Sequence, residues 1–333
     1  MTGIGLSMGD ISLARKSIAS IALRTPLIHS LSLSKLADTT VYLKPEGLQP
    51  TGSFKIRGAA NRMLHLSKEE KDRGVIAVST GNHGLAVAYV ARNLGLRAVI
   101  CLSQGVPGNK VQALRRLGAE TVVHGRSYDE AMAHACSLQM ERKLTMIHPF
   151  DDPLVIAGQG TIGQELLEDL PAIDTVIVPL SGGGLMSGIA FALKSEKPGV
   201  RVIGASMDRA PVMVRSLQSG RVIEMEEEET LADALVGGIG PVNRYTFRMC
   251  QQYGDEALLV SEEEIADAMA FCFEELGLVA EGGGAVGIAA LLSGKMESPG
   301  RNVAVVLSGS NVDPSLLLGI LQHNCTNLKA KKE

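Results

Sequence analysis

The stretch VIVPLSGGGLMSGIA, residues Val176–Ala190, decides the fold. A short apolar run leads into three glycines, and a helix-forming run follows. Apolar strands without alternation suit a parallel sheet covered on both faces. Glycines at the strand end let backbone N–H groups turn inward, and the helix N-terminus adds partial positive charge. The unit predicts a phosphate cradle that needs no lysine or arginine. A glycine turn that serves only close packing is the plainer reading. What bears the phosphate stays open here. Gly182, Gly183, Gly184 and Gly188 approximate a dinucleotide fingerprint with its last glycine displaced by one. Asp208 follows the next strand, about where a ribose-binding acid belongs. An NAD-dependent dehydrogenase is therefore a rival at this point. No Walker lysine follows the glycines, which disfavours a P-loop NTPase.

Outward from this unit the chain alternates strand and helix, the pattern of an α/β protein. On the N-terminal side lie the strands GVIAVST from Gly74, RAVICL, ETVVHG and LTMIHPF. Between them come the helices LAVAYVARNLG, ending at Gly95, NKVQALRRLGA, and SYDEAMAHACSLQMERK with Ser127 as N-cap. On the other side VIAGQGTIGQELLEDL reads as a helix despite its glycines. IAFALKSE is the helix after the cradle, and RVIGAS, ALLVS and NVAVVLSGSNVD are further strands. Ser261 with Glu264 forms a capping box for the helix SEEEIADAMAFCFEELG. The pattern divides the chain into a large lobe, residues 1–73 and 152–333, and a small lobe, residues 74–151.

Composition narrows the function. The 333 residues are 45% hydrophobic and 20% charged, enough for a large core and two domains. Net charge is -4, basic residues are scattered, aromatics are 3% and tryptophan is absent, so nucleic acid is not an expected partner. Five widely spaced cysteines without a CxxC read as reduced thiols of a cytoplasmic protein. No apolar run approaches membrane-spanning length, and the first residues do not read as a signal peptide.

Three more polar turns sit where ligands bind in open parallel sheets, at carboxyl ends of strands. In Ser79-Thr80-Gly81-Asn82-His83, free N–H groups and two hydroxyls suit a carboxylate, and Asn82 can donate to a ring oxygen. For His83 alone a polar N-cap turn is the better reading. Ser308 can meet a ring nitrogen. In Thr51–Lys55, Gly52 and Ser53 frame a tight turn and Phe54 supplies an apolar wall. Lys55 begins a helix, and both the helix terminus and desolvation disfavour its ammonium form. A neutral amine is what Schiff-base chemistry requires.

TGSFKIRGA, STGNHG, SGGGL and LSGSNVD occur in the order found in fold-type II pyridoxal-phosphate enzymes, and the chain resembles the serine/threonine dehydratases of the group that includes serine racemase. The lysine and asparagine motifs together displace the NAD reading. The resemblance runs from Arg24 to LSGSNVD. It implies the tryptophan-synthase-β-like fold, two open, twisted, mostly parallel sheets with helices on both faces. It implies pyridoxal 5'-phosphate held by Lys55 as a Schiff base. Phe54 would pack beside the ring and Asn82 would bond the phenolic oxygen. Ser181, Gly182, Gly183, Gly184 and Leu185 would bind the phosphate, and Ser308 would meet the pyridine nitrogen. Ser79, Thr80, Gly81 and His83 would line the substrate carboxylate site. The implied reaction is β-elimination of water from a hydroxy amino acid, with Lys55 as the base. A neutral hydroxyl at Ser308 does not hold the ring nitrogen protonated, which favours elimination over transamination. A homodimer is the family expectation.

Three departures qualify the resemblance. The serine that acts as second base in the racemases is Thr80 here, which favours dehydration over racemisation. The racemase metal ligands correspond to Ser206 and Val212, poor ligands for a hard cation, so no metal is expected there. Ser310 stands where the family has a glycine, and is expected to alter the ring-nitrogen pocket or the substrate edge. HPFDDP, from His148, is closer to threonine dehydratases than to racemases. The C-terminal residues leave no room for a regulatory domain, so a catabolic type is expected. STGNHG with DDPLVIAGQGTIGQE is also similar to dehydratases of hydroxyectoine utilisation and to β-hydroxyaspartate dehydratases. For a substrate with a second carboxylate, Arg126 and Arg244 are the candidate clamps.

Overall fold

The structure is a computed structural model that describes residues 5–79, 81–104, 106, 108–240, 242–296 and 298–330. Its strands are β1 (Ile28–Ser30), β2 (Thr40–Pro45), β3 (Val75–Val78), β4 (Ala98–Leu102), β5 (Glu120–Val123), β6 (Thr145–Met146), β7 (Thr175–Pro179), β8 (Arg201–Met207), β9 (Glu256–Val260) and β10 (Asn302–Leu307). Its first helices are α1 (Met8–Ile18), α2 (Leu31–Ala37), α3 (Lys55–Leu64), α4 (Lys68–Arg73), α5 (Asn82–Leu94), α6 (Gly108–Arg116) and α7 (Tyr128–Arg142). The later ones are α8 (Pro153–Asp169), α9 (Gly184–Glu196), α10 (Val212–Ser219), α11 (Thr246–Tyr253), α12 (Glu262–Glu274), α13 (Gly282–Leu292) and α14 (Pro314–Ala330). Among the described residues no helix is long and apolar enough to cross a membrane.

Two sheets result. One has the order β1-β2-β10-β7-β8-β9, parallel except for the β1–β2 pair, and the other is β5-β4-β3-β6, all parallel. The four strands of the smaller sheet lie between Val75 and Met146. Every residue of β3, β4 and β7 is buried, as the unbroken apolar runs require. Strand β5 is an edge, and its ends are exposed. The apolar cluster around Ile100 of the smaller sheet and Val87 of α5 also takes in Ile56, Ala59, Ala60 and Met63 of α3, and Ile18 and Ala22. Helix α3 is thus common to the packing of both sheets, because it also lies against α8.

Caps set the helices where the sequence places them. Ser127 accepts from the Glu130 N–H, Ser261 and Glu264 cap reciprocally, and Gly95 closes α5 in the left-handed region. Two expectations change. Helix α9 begins at Gly184, not Ile189, since backbone hydrogen bonding starts within the glycines themselves. Strand β6 spans only Thr145–Met146 before the chain leaves the sheet. EGGGAVGIAALL, to which no element is assigned above, contains α13, buried from Gly282 to Leu291.

Candidate active site

The carboxyl ends of β10, β7 and β3 open onto one cavity of about 710 Å³, a volume usual for a small-molecule site. Phe54, Lys55, Ser79, Gly81, Asn82, His83, Ser181, Gly182, Gly183, Gly184, Leu185 and Ser308 all line it. Thr80 lies outside the described residues.

Lys55 is fixed by its turn. Phe54 N–H donates to the Ser308 carbonyl at 3.0 Å, and Ser53 bridges Gly309, so the start of α3 is pinned to the end of β10. Lys55 Nζ donates to the Pro149 carbonyl at 2.9 Å and lies 5.1 Å from the Phe54 ring centre. Burial pushes the amine down to about 8, against the attraction of Glu281. At pH 7 roughly a tenth of such amines are neutral, against well under a thousandth for a free lysine.

The glycine turn has the form of an anion cradle. Gly183, at φ +83°, is the N-cap of α9 in the left-handed region. A Cβ on Gly182 would lie 2.3 Å from the Phe150 ring, and one on Gly184 would lie 2.9 Å from the Phe150 Cα. No side chain fits between Phe150 and this backbone. The first N–H groups of a helix have no acceptor within it, so an oxyanion here meets donors already in place. Ser181 turns its hydroxyl to the Leu235 carbonyl at 2.8 Å.

At the start of α5, Gly81 N–H donates to Ser79 Oγ at 3.2 Å. His83 is buried, and burial together with Lys55 pushes it down to about 3. Its Nε2 stands 2.8 Å from the Ile147 carbonyl, which can only accept, so Nε2 carries the proton. The remaining ring nitrogen is an acceptor, which leaves His83 its backbone N–H for a carboxylate. Asn82 is held on both sides. Asn311 Nδ2 donates to Asn82 Oδ1 at 2.6 Å, and Asn82 Nδ2 donates to Glu281 Oε1 at 2.5 Å. Ser308 is buried, its hydroxyl donating to the Gly283 carbonyl at 3.3 Å.

Several residues escaped sequence reasoning. Glu281 is buried in the cavity wall, and burial raises its carboxyl to about 7. Its signal was an acid between an apolar run and three glycines. Phe150 and Pro149 cover the cradle and hold Lys55 from a segment read as the end of a strand and as a family marker. Other expectations need correction. Arg126 and Arg244 are not among the residues lining the cavity. The Arg244 N–H instead donates to Asp151 at 2.7 Å. Besides Lys55, the lining cations are Lys110, paired with Asp233 at 3.0 Å, and Arg209, which donates to the Glu229 carbonyl at 2.6 Å. Ser310 is not among the cavity-lining residues either. Its hydroxyl donates to the Gly47 carbonyl at 3.1 Å, because the chain turns it toward the loop after β2. Ser206 is buried beside Met207, and Val212 opens α10.

A shifted lysine, a backbone cradle for an oxyanion, and a buried amide and hydroxyl around one cavity suit pyridoxal phosphate in both size and donor set. Comparison with known proteins agrees. A family model described as pyridoxal-phosphate dependent enzyme matches residues 18–309, and the chain belongs to that family. It is 44% identical over 312 residues to the L-threonine ammonia-lyase of Thermotoga maritima, covering 94% of this chain and 77% of that one. It is 41% identical over 322 residues to the catabolic L-threonine dehydratase TdcB of Staphylococcus aureus, covering 96% and 92%. The solved structure of maize serine racemase superposes with a TM-score of 0.90 at 33% identity, covering 98% of this chain and 99% of that one. The chain is thus a pyridoxal-phosphate-dependent lyase of the dehydratase, or ammonia-lyase, type. The NAD alternative falls with that membership.

Proposed function

We propose that the protein dehydrates small β-hydroxy amino acids of the threonine and serine type, giving a 2-oxo acid and ammonia. The observation that carries this reading is Lys55, an amine pushed toward neutrality at the wall of a cavity that also contains the cradle. When bound, pyridoxal phosphate supplies an electron sink for the Cα–H bond electrons. Lys55 Nζ would hold the cofactor and, freed by the substrate amine, would accept the α-proton. The N–H groups from Gly182 to Leu185 would hold the phosphate. Asn82 would orient the phenolic edge, Ser308 would meet the ring nitrogen without fixing a charge on it, and Phe54 would wall the ring. Ser79, Thr80, Gly81 and the His83 backbone would take the substrate carboxylate. Loss of the β-hydroxyl as water, then hydrolysis of the released enamine, accounts for every atom of the 2-oxo acid and ammonia.

The charge of Lys110 is already met by Asp233, which favours a monocarboxylate over 3-hydroxyaspartate. A cytoplasmic setting accords with the free thiols of Cys101, Cys136, Cys250 and Cys272. A homodimer, and lobes of residues 1–73 with 152–333 and 74–151, complete the proposal.

Purified protein assayed with L-threonine, L-serine and 3-hydroxyaspartate tests it. Ammonia and 2-oxo acid should form fastest from threonine or serine, and borohydride should fix the cofactor on Lys55. Racemised serine without 2-oxo acid would make the protein a racemase. Preference for 3-hydroxyaspartate would move it to the hydroxyaspartate subgroup.

A further inference from the structure

Glu281 has a place in the cavity wall that the proposed reaction does not use. It is the N-cap residue of α13, yet its side chain does not cap that helix. The carboxylate turns instead to Asn82, accepting from Nδ2 at 2.5 Å. On its other side Asn82 accepts from Asn311 Nδ2 at 2.6 Å, and Asn311 Nδ2 also donates to the Thr51 carbonyl at 2.8 Å. Asn311 thus donates both to the turn of Lys55 and to Asn82, and Asn82 donates on to Glu281. The Asn82 amide has one acceptor oxygen and two N–H donors. The oxygen is taken by Asn311 and one N–H by Glu281, so the second N–H is the one left for a ligand's ring oxygen. The fit around the carboxylate is close, since a Cβ on Gly309 would lie 2.2 Å from Glu281 Oε1.

We propose that Glu281 is a positioning residue that acts through Asn82: its carboxylate fixes the orientation of the Asn82 amide, and its protonation loosens that hold, so cofactor affinity follows the ionisation of Glu281. The inference rests on the assignment of Asn82 to the phenolic oxygen. Chemically, a hydrogen bond to an ionised acceptor is about twice as strong as one to a neutral group. A protonated carboxyl is also itself a donor, and competes for the oxygen that Asn311 now holds.

The setting places the proton exchange near neutrality. Burial raises the Glu281 carboxyl to about 7 and Asp233 adds to the rise, while Asn82, Lys110 and the Asn311 backbone work the other way. Lys55 of α3 faces it too, and Glu281 in turn holds the Lys55 amine above where burial alone would leave it. Arg209, Glu229, Glu262 and Asp313 line the same cavity, and His83 of α5 stays neutral throughout this range.

Equilibrium titration of the apoprotein with pyridoxal phosphate between about pH 6 and pH 8 tests the proposal without reference to turnover. Glu281→Gln keeps an acceptor oxygen for Asn82 but cannot ionise. Glu281 also acts on the Lys55 amine, so the Asn82→Ala background, which keeps that coupling, isolates the part carried by Asn82. From the acid to the alkaline end, the ratio of wild-type to Glu281→Gln affinity should rise about fivefold more with Asn at position 82 than with Ala there, the difference between a charged and a neutral hydrogen-bond partner. Equal slopes in the two backgrounds would overturn the proposal, since Glu281 would then act on the cofactor by another route. Wild-type protein that takes up no pyridoxal phosphate would instead overturn the cofactor assignment itself.

Discussion

Arg57 and Lys55 stand two residues apart on α3, and their surroundings are built on opposite terms. Arg57 is buried with all five N–H donors placed: Nε and Nη2 on Glu46 at 2.8 Å, Nη1 and Nη2 on Glu165 at 2.6 and 3.0 Å, and Nη1 on Thr161 at 3.0 Å. Lys44, also buried, meets Glu165 at 2.6 Å and the Thr25 carbonyl at 2.7 Å. Two cations thus face two anions. Burial works against the Glu46 carboxylate, yet Arg57 beside it and the Thr25 hydroxyl pull it below the usual range, and Arg57 itself is held above its own. Lys55 and Glu281 share a cavity wall without direct pairing, and burial moves both toward neutrality, to about 8 and about 7. Burial alone therefore does not decide ionisation. Matched partners keep a charge and make a strut; missing partners release it and make a reactive group.

The sharpest way to break that contrast is to remove each cation. Lys55→Ala should lower ammonia release from the substrate by about 10²- to 10⁴-fold, the usual worth of a positioned base. It should not lower the urea midpoint of the apoprotein, because the amine it removes is poorly partnered. Arg57→Met should do the reverse at the level of stability. It strands the buried Glu46 carboxylate and leaves Glu165 with Lys44 alone, and breaking a buried pair from one side costs about 3–5 kcal/mol. Urea denaturation of both variants settles the matter, since a stability loss for Lys55→Ala equal to that of Arg57→Met would erase the distinction.

The pH dependence of stability gives opposite signs for the two acids. Glu281 has a folded pKa raised above its unfolded value, so its contribution is present at low pH and is lost as pH rises toward about 7. Relative to wild type, Glu281→Gln should therefore gain stability above neutrality, by up to about 3 kcal/mol for a shift of this size. Glu46 is lowered, so its contribution is present above the unfolded pKa and is lost as pH falls through the folded one. Glu46→Gln should be destabilised at neutral pH and converge on wild type in acid. Thermal melts of the apoproteins across pH read both, and equal signs would contradict the comparison.

The same distinction explains what was legible in the sequence. Motifs whose chemistry is local could be read directly: the cradle from three glycines between strand and helix, the capping box of α12, and Lys55 from its tight turn. Partners that meet only through the fold could not. Glu281 is 199 residues from Asn82, and nothing in either neighbourhood names the other. The Arg57 set brings together β2, its following turn, α3 and α8, and its acids look like surface residues until the sheet closes over them. Helix α13 was hidden for a related reason, since glycines that a turn would use are here demanded by packing. A Cβ on Gly284 would lie 2.4 Å from the Gly309 carbonyl. The second-carboxylate clamp was misplaced because a sequence shows the presence of Arg126 and Arg244 but not which cavity they reach.

Asp151 supplies the smallest effect and a third way of holding an anion. No cation pairs with it among the described residues, in contrast to Glu46 with Arg57. Its two oxygens instead accept three backbone N–H groups at the start of α11, from Arg244 at 2.7 Å and from Tyr245 and Thr246 at 2.9 Å. The loop that carries it also brings Phe150 over the cradle and Pro149 to Lys55. Helix α11 in turn backs the cradle, since a Cβ on Gly183 would meet Cys250 Sγ at 2.9 Å and Thr246 Cβ at 3.1 Å. Asp151→Ala should cost about 1 kcal/mol, the usual price of a lost helix cap, read as a fall in the urea midpoint at unchanged slope. Asp151→Asn, which keeps one acceptor oxygen, should recover part of it. Because α11 touches the cradle only from behind, pyridoxal phosphate affinity should fall by less than it does in Asn82→Ala. An Asp151→Ala protein with unchanged stability would mean that these three donors are as well satisfied by water, and that the loop is held by its other bonds, among them those to His148 Nδ1 and the Pro149 carbonyl.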